Sequence, residues 1–324
     1  MILTVTLNPS LDRTVEVDEL VRGAVLRARA AHLDPAGKGV NVTRALLANG
    51  CASRAILPVG GPEGDQLIAL LAVERVDAVI VPVAGRTRSN ITIAVTDGTV
   101  TKLNEPGPTL TAQDLESVIE RVLAEAADAD WVAICGSLPP GVTPDQYGAM
   151  VRRFRAAGLR VALDSSGPAL LAAVAAGPDL VKPNAEELAA AVGHSTDSWS
   201  EVVGAAQALR SAGAKAVLVS LGAAGAVLVD DDGVLVGSGE AVIPRSTVGA
   251  GDASLAGFLA AQATASDGGA TRGRRERALV QALAWGTAAV KLPGSRMPRP
   301  HEIDTGSVRI LTEAELREPL LGVS

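Results

Sequence analysis

One carboxylate set among glycines is the residue pattern here with the clearest chemical consequence. Ser246-Thr-Val-Gly-Ala-Gly-Asp252-Ala-Ser254 leads into an apolar stretch, Leu255 to Ala265, that reads as a helix. Backbone N–H groups at a helix start are unpaired and favour an anion. Gly249 and Gly251 let that anion approach the main chain closely. An acid beside such a cradle makes sense where it takes a proton from a hydroxyl that attacks phosphorus. Asp and Gly are also common helix caps, so the segment alone supports an ordinary N-cap equally well.

Other segments offer weaker signals of the same kind. In Ala36-Gly-Lys-Gly-Val-Asn-Val42, Gly37 and Gly39 open a helix, Lys38 adds a fixed charge and Asn41 lies one turn in. That suits a sugar phosphate or sugar hydroxyls, although a turn with a solvated lysine explains it too. Asn8-Pro-Ser-Leu-Asp12 follows the first strand, where ligands gather in open α/β sheets, and Asp12 is placed to bind paired hydroxyls or to form a turn. Arg88 and Asn90 begin a hairpin; arginine suits phosphate, while an exposed strand arginine is the commoner case. In Lys182-Pro-Asn-Ala-Glu-Glu187, Asn184 and Glu187 are spaced either to order a hydrated Mg²⁺ or to form a capping box. Ser220-Leu-Gly-Ala-Ala-Gly-Ala226 fits a nucleotide groove or a tight β-turn, and Gly136-Ser-Leu-Pro-Pro-Gly141 follows another strand. His32, His194 and His301 share no ligand spacing. The sequence has neither G-x-x-x-x-G-K-[ST] nor a G-x-G-x-x-G after its first strand, which excludes the common P-loop and dinucleotide designs.

The elements that must position these residues alternate. Apolar strands are expected at Ile2–Leu7, Arg54–Val59, Trp131–Cys135, Arg160–Leu163, Leu180–Val181 and Ala216–Ser220. Helices are expected at Gly39–Asn49, Glu63–Glu74, Leu110–Ala127 (Thr111 as N-cap), Pro144–Ala157, Pro168–Ala175, Ala185–Ala191 and Ser200–Ala212. Continuous apolar strands between helices predict an α/β fold with a mostly parallel sheet covered on both faces. Strands Ala226–Val229 and Val234–Val236 flank the turn at Asp230–Gly233. Two stretches, about 13–33 and 86–104, break the rhythm with alternating β-branched residues and predict a small separate β-sheet, a lid or an oligomer contact. Ser266–Arg277, rich in Gly and Arg, is expected to be a solvated loop between two helices.

Composition narrows the function classes. The 324 residues are 48% hydrophobic and only 2% aromatic, so the core must be Ala, Val and Leu. A net charge of -7 argues against nucleic acid as the main partner. Two cysteines, Cys51 and Cys135, form no disulfide framework. No apolar run reaches the roughly 20 residues of a membrane span, and the N-terminus reads as a core strand, so a cytoplasmic protein is expected.

The order of these motifs resembles that of the PfkB (ribokinase-like) family of sugar kinases along nearly the whole chain. The resemblance rests on Gly37-Lys-Gly39 with Asn41, on Asn184-x-x-Glu187 and on Gly249-Ala-Gly-Asp252. Within the family the chain is similar above all to the hexose-phosphate kinases, through Thr6–Asp12, Lys38, Lys102-Leu-Asn-Glu-Pro-Gly-Pro108 and Gly136–Gly141. It departs from the family pattern at Ala36, usually glycine, and Ser10, commonly alanine.

The resemblance implies one ribokinase-like α/β domain over 1–324, with a β lid that often forms a homodimer contact. It implies transfer from ATP to the C6 hydroxyl of fructose 1-phosphate; tagatose 6-phosphate and fructose 6-phosphate are the alternative acceptors, and a non-catalytic sugar-phosphate sensor is the rival from another class. Asp252 would be the base, with the N–H groups of Gly249, Ala250 and Gly251 as the anion hole. Asp12, Gly37, Lys38, Asn41, Arg88 and Ser137 would hold the sugar phosphate. Lys182, Asn184 and Glu187 would handle Mg²⁺ and nucleotide phosphates, and Ser220, Gly222, Gly225, Gly286 and Thr287 would line the ATP groove. Ser246, Val248, Gly294 and Arg296 match positions that bind K⁺ in some relatives.

Overall fold

Four-to-five-residue apolar runs bounded by turn residues form strands that are buried on both faces, as the interior of a parallel sheet requires. The computed structural model describes residues 1–263, 271–312 and 315. In chain order the elements are β1 (Ile2–Val5), β2 (Ser10–Val17), β3 (Ala30–Ala36), α1 (Lys38–Ala48), β4 (Ser53–Val59), α2 (Gly61–Val73), β5 (Ala78–Pro82), β6 (Arg88–Val95) and β7 (Val100–Leu103). They continue with α3 (Ala112–Glu125), β8 (Trp131–Cys135), α4 (Pro144–Ala156), β9 (Arg160–Asp164), α5 (Gly167–Val174), β10 (Leu180–Val181), α6 (Ala185–Val192) and α7 (Trp199–Ser211). The last are β11 (Val217–Ser220), β12 (Ala226–Asp230), β13 (Gly233–Ser238), α8 (Ala250–Ala263), α9 (Thr271–Val290) and β14 (Arg309–Ile310).

Ten strands form the central sheet in the order β14-β13-β12-β11-β10-β9-β8-β1-β4-β5. Pairing is parallel from β5 to β11 and antiparallel from β11 to β14, so the expected mostly parallel sheet carries an antiparallel edge. The period of two along each strand feeds two cores. β1 sends Leu3 and Val5 to the face covered by α3 to α7, and Ile2 to the face covered by α1, α8 and α9. β8 divides Val132 and Ile134 from Ala133 and Cys135 in the same way. The core is built from small aliphatics, as the composition requires. Thr111 and Thr143 each close a capping box on α3 and α4.

The second sheet has the order β3-β2-β6-β7. β2 and β6 run parallel, in a register that sets Ser10 opposite Arg88 and Asp12 opposite Asn90; β3 and β7 flank them antiparallel. Its first two strands, β2 and β3, begin at Ser10 and end at Ala36, somewhat beyond the expected 13–33 segment, while β6 and β7 fall within 86–104.

The region expected to loop over Ser266–Arg277 differs. Residues 266–270 lie outside the described residues, while Thr271 to Arg277 already belong to α9. Arg275 is buried, not solvated. Its guanidinium pairs with Asp230 at 2.7 Å and donates to the carbonyls of Asp232 (3.2 Å) and Gly233 (2.8 Å). The β12–β13 turn thus supplies the acceptors that make a buried arginine tolerable. The Ser220–Ala226 link, expected as a nucleotide groove or a tight β-turn, is a 3₁₀ turn over Gly222–Ala224. Among the described residues no helix is long and apolar enough to cross a membrane.

Candidate active site

Five parallel strands, β1, β8, β9, β10 and β11, end along one edge, and the residues that follow them converge there. Asn8 to Asp12 follow β1, Gly136 and Ser137 follow β8, Asp164 closes β9, Lys182 to Asn184 follow β10, and Ser220 closes β11. Carboxyl ends of strands are where open α/β sheets place ligands. The first turns of α1 and α8 reach the same edge.

Asp252 is the third residue of α8 and is 6% exposed. Its Oδ2 accepts a 2.8 Å hydrogen bond from Asn41 Nδ2, which ties the starts of α1 and α8 together. Burial first, and the Asp164 charge second, push its pKa up to about 7, against the pull of Asn41, Lys38 and Lys182. Asp164 behaves oppositely. Burial alone would raise it, but the Lys182 and Lys38 ammonium groups outweigh burial and hold it ionised. Lys38 Nζ lies 2.7 Å from Asp164 Oδ1 and 3.3 Å from Glu187 Oε1, and Lys182 Nζ lies 3.0 Å from Asp164 Oδ2. Burial disfavours the Lys38 charge, yet Asp164 and Glu187 more than offset it and raise its pKa. Two cations, Lys38 and Lys182, and the ionised Asp164 therefore act on one carboxyl that is poised near neutrality.

Lys182 also borders the α8 cradle. A β-carbon built at Gly251 would sit 3.3 Å from its Nζ and near nothing else. The backbone at Gly249 is left-handed, with φ 78°, as the turn into α8 demands. Asn184 and Glu187 form a capping box on α6: Asn184 Oδ1 accepts from the Glu187 N–H at 2.7 Å, and Glu187 Oε2 from the Asn184 N–H at 2.9 Å. The capping-box reading of that motif is realised, and the other carboxylate oxygen, Glu187 Oε1, accepts from Lys38 at the site. Asn184 pairs with Ser220 across the β10–β11 edge.

A second cluster lies where the small sheet meets the large one. Asp12 Oδ1 accepts from Ser10 Oγ at 2.8 Å and from Asn90 Nδ2 at 2.9 Å, while Asn90 Nδ2 also donates to Ser10 Oγ at 3.1 Å. Arg88 donates to the carbonyls of Asn8 (2.9 Å) and Glu105 (3.3 Å), and Asn8 Nδ2 donates weakly to Ser137 Oγ at 3.4 Å. Arg88 Nε and Asn8 Oδ1 are buried without a hydrogen-bond partner among the described residues. Such orphaned polar atoms call for a ligand or water to satisfy them. Burial also works against the Arg88 charge and lowers its pKa.

Other expected positions lie at the periphery. Gly286 on α9 gives close approach to α8, since a β-carbon there would sit 3.4 Å from Ser254 Cβ, and Thr287 Oγ1 lies against Gly239. Gly222 and Gly225 shape the 3₁₀ turn between β11 and β12, and a β-carbon at Gly225 would strike the Gly237 carbonyl. The loop holding Ser246 and Val248 and the loop holding Gly294 and Arg296 meet where Met297 packs on Gly249. Ser246 Oγ accepts from the Val248 N–H at 3.2 Å, and Arg296 pairs with Glu302 at 2.8 Å. Among the described residues no three His, Cys, Asp or Glu side chains are placed to hold a metal by themselves.

Three candidate residues were not evident from the motifs. Asp164 ends an apolar strand, and its only signal is a carboxylate at a strand's carboxyl end followed by two serines. Arg44 matters through its contacts to Asn41 and Glu74, and Ser10 through those to Asp12 and Asn90, which no spacing rule points to.

The sequence pattern of the pfkB family carbohydrate kinases matches residues 5–302. A 1-phosphofructokinase of Rhodobacter capsulatus is 41% identical over 266 residues, covering 80% of this chain and 82% of the relative. The ATP-dependent 6-phosphofructokinase isozyme 2 of Escherichia coli is 38% identical over 257 residues, 78% of this chain and 83% of the relative. The crystal structure of phosphofructokinase-2 from Escherichia coli in complex with potassium superposes with a TM-score of 0.86 at 34% identity, covering 98% of this chain and 99% of that one.

Proposed function

The chain belongs to the pfkB family of carbohydrate kinases, and on that premise we propose that it moves the γ-phosphoryl group of ATP to the C6 hydroxyl of fructose 1-phosphate, giving fructose 1,6-bisphosphate. The observation that carries the reading is the buried carboxyl of Asp252, poised near neutral pH at the mouth of a helix start lined by Gly249, Ala250 and Gly251. A general base works best when its pKa lies near the working pH.

Asp252 takes the proton of the sugar hydroxyl as that oxygen bonds to phosphorus and the bond to the ADP oxygen breaks. The N–H groups of Gly249, Ala250 and Gly251 face the charge that grows on the transferring phosphoryl. Asn41 holds Asp252 in place. Asp12, Gly37, Lys38, Arg88 and Ser137 grip the acceptor, and the orphaned Arg88 Nε and Asn8 Oδ1 support that assignment. Lys182, with Asn184, Ser220, Gly222 and Gly225, lies along the nucleotide phosphates and ribose, and Gly286 and Thr287 lie near the base. Lys38 and Lys182 are held ready by Asp164, from which they can turn to phosphate oxygens.

The family reaction needs a divalent cation with the nucleotide. We assign Mg²⁺ to Glu187 and Asn184, mainly through water, because the Glu187 carboxylate oxygen that faces Lys38 lies at the site and suits an ion that keeps several waters and takes phosphate oxygens. When bound, it neutralises charge between the nucleotide phosphates. Main-chain carbonyls at Ser246, Val248, Gly294 and Arg296 are the proposed K⁺ contacts. The chain is read as a single kinase unit over 1–324. Its four-stranded sheet serves as the lid that excludes water and as the contact of a homodimer, supported by the exposed apolar residues Leu20, Val21, Val100 and Leu103 on and beside it. Cys51 and Cys135 are free thiols, in keeping with a reducing cytoplasm.

A coupled assay of ADP formation tests the acceptor. The highest kcat/KM is expected with fructose 1-phosphate, above fructose 6-phosphate and tagatose 6-phosphate. Preference for a 6-phosphate would turn the assignment toward the chemistry named for the Escherichia coli relative, and no ADP formation with any of them would overturn it.

A further inference from the structure

Asn41 is itself held. Its Nδ2 donates to Asp252 Oδ2 at 2.8 Å, and its Oδ1 accepts from Arg44 Nη1 at 3.3 Å. Arg44 lies one turn further along α1, with its side chain only 10% exposed. Its Nε and Nη2 donate to the two oxygens of Glu74 at 2.5 and 2.8 Å, and Nη1 also reaches the Ser295 carbonyl at 3.2 Å. The guanidinium is therefore clamped between the end of α2 and the loop before Met297.

An asparagine amide has nearly the same shape in either of two orientations, and its neighbours decide between them. Turned over, Asn41 would aim its carbonyl at the Asp252 carboxylate and its NH₂ at a guanidinium that has only donors. The first contact is tolerable when Asp252 is protonated; the second never is. Arg44 thus excludes the orientation that would suit a protonated Asp252. We infer that Arg44, anchored by Glu74, is a positioning residue that fixes the Asn41 amide so that its donor, and not its carbonyl, faces Asp252. The inference rests on the reading of Asp252 as the base. Favouring the ionised carboxyl restrains the upward push of burial and of Asp164. The other groups facing Asp252 are Lys38 from α1, Asp164 at the end of β9, Lys182 after β10 and Cys135 at the end of β8, and none of them contacts Arg44 among the hydrogen bonds and ion pairs described.

The test is a titration of the Asp252 carboxyl by infrared difference spectroscopy, assigned with Asp252→Asn, beside the pH profile of kcat. Arg44→Met and Arg44→Lys should each move the Asp252 titration upward by about one pH unit, the scale of one hydrogen bond to a charged group. Glu74→Gln should move it in the same direction by less, and this partly exposed site keeps the test open if Arg44→Met does not fold. In an Asn41→Ala background, Arg44→Met should cause no further movement. The kcat limb should follow the titration. An unmoved titration in Arg44→Met, full rescue by Arg44→Lys (charge alone), or an undiminished movement without Asn41 would each overturn the inference. A titration that moves while the kcat limb stays would support the positioning role and reject Asp252 as the base.

Discussion

The starts of α1 and α8 look alike in sequence, each with two glycines one residue apart and a polar side chain within reach, but the glycines serve different ends. At α1 they allow packing. A β-carbon at Gly37 would lie 2.8 Å from Thr6 Cγ2, and one at Gly39 would lie 2.4 Å from Thr6 Oγ1 and 3.2 Å from the Val5 carbonyl. At α8, Gly251 has only the Lys182 ammonium nearby, so its missing side chain leaves space beside a cation. The first pair seats a helix on β1; in the second, Gly249 packs against Met297 and Gly251 leaves the cradle open. The Asn41–Asp252 hydrogen bond joins the two, so the packed start holds the open one in register.

Substitution at the open start should strike chemistry hardest. Asp252→Asn is expected to fold, bind ATP and lose at least about 10²-fold in kcat, read by the coupled assay. Its stability should separate the roles further. The raised pKa means that the folded protein binds more protons than the unfolded chain between the ordinary carboxyl range and about 7. Wild-type stability therefore falls through that window as pH rises, and the Tm of Asp252→Asn should gain on wild type over it and hold its advantage above.

The glycines give the sharpest contrast. Gly251→Ala should keep its Tm and lose at least about tenfold in kcat, because its methyl enters the cradle that shields the anion. Gly39→Ala should instead lose about 1–3 kcal/mol of stability through overpacking against Thr6, measured by thermal denaturation. Equal effects of the two on Tm would erase the distinction. The smallest effect is expected in the second cluster. Ser10→Ala removes one of the two donors to Asp12 Oδ1, leaving Asn90, and should raise KM for the sugar phosphate about 3–10-fold with kcat nearly unchanged, the scale of one modest hydrogen bond.

Much of this arrangement can be seen in the sequence because it is local. Alternating apolar runs mark the strands, Thr111 announces its helix, and glycines mark both helix starts. What is hidden depends on register or on distant partners. β5 is an apolar, β-branched run, but its place at the edge of the sheet follows only from its pairing with β4. β14 exists by pairing with β13. The Arg-rich start of α9 reads as solvated until the β12–β13 turn supplies carbonyls to Arg275. The link from Ser10 and Asp12 to Asn90 follows from the parallel register of β2 and β6, across 78 residues of chain for Asp12. Asp164 shows its role only when Lys38 and Lys182 are seen on either side of it.

Single-turnover phosphoryl transfer to fructose 1-phosphate, followed across the neutral pH range in wild type and in Asp252→Asn, tests the base most directly. The wild-type rate should climb with pH through a limb near 7, and the variant should be slow at every pH with that limb gone. A variant that keeps the wild-type rate, or keeps the same limb, would contradict proton transfer to Asp252.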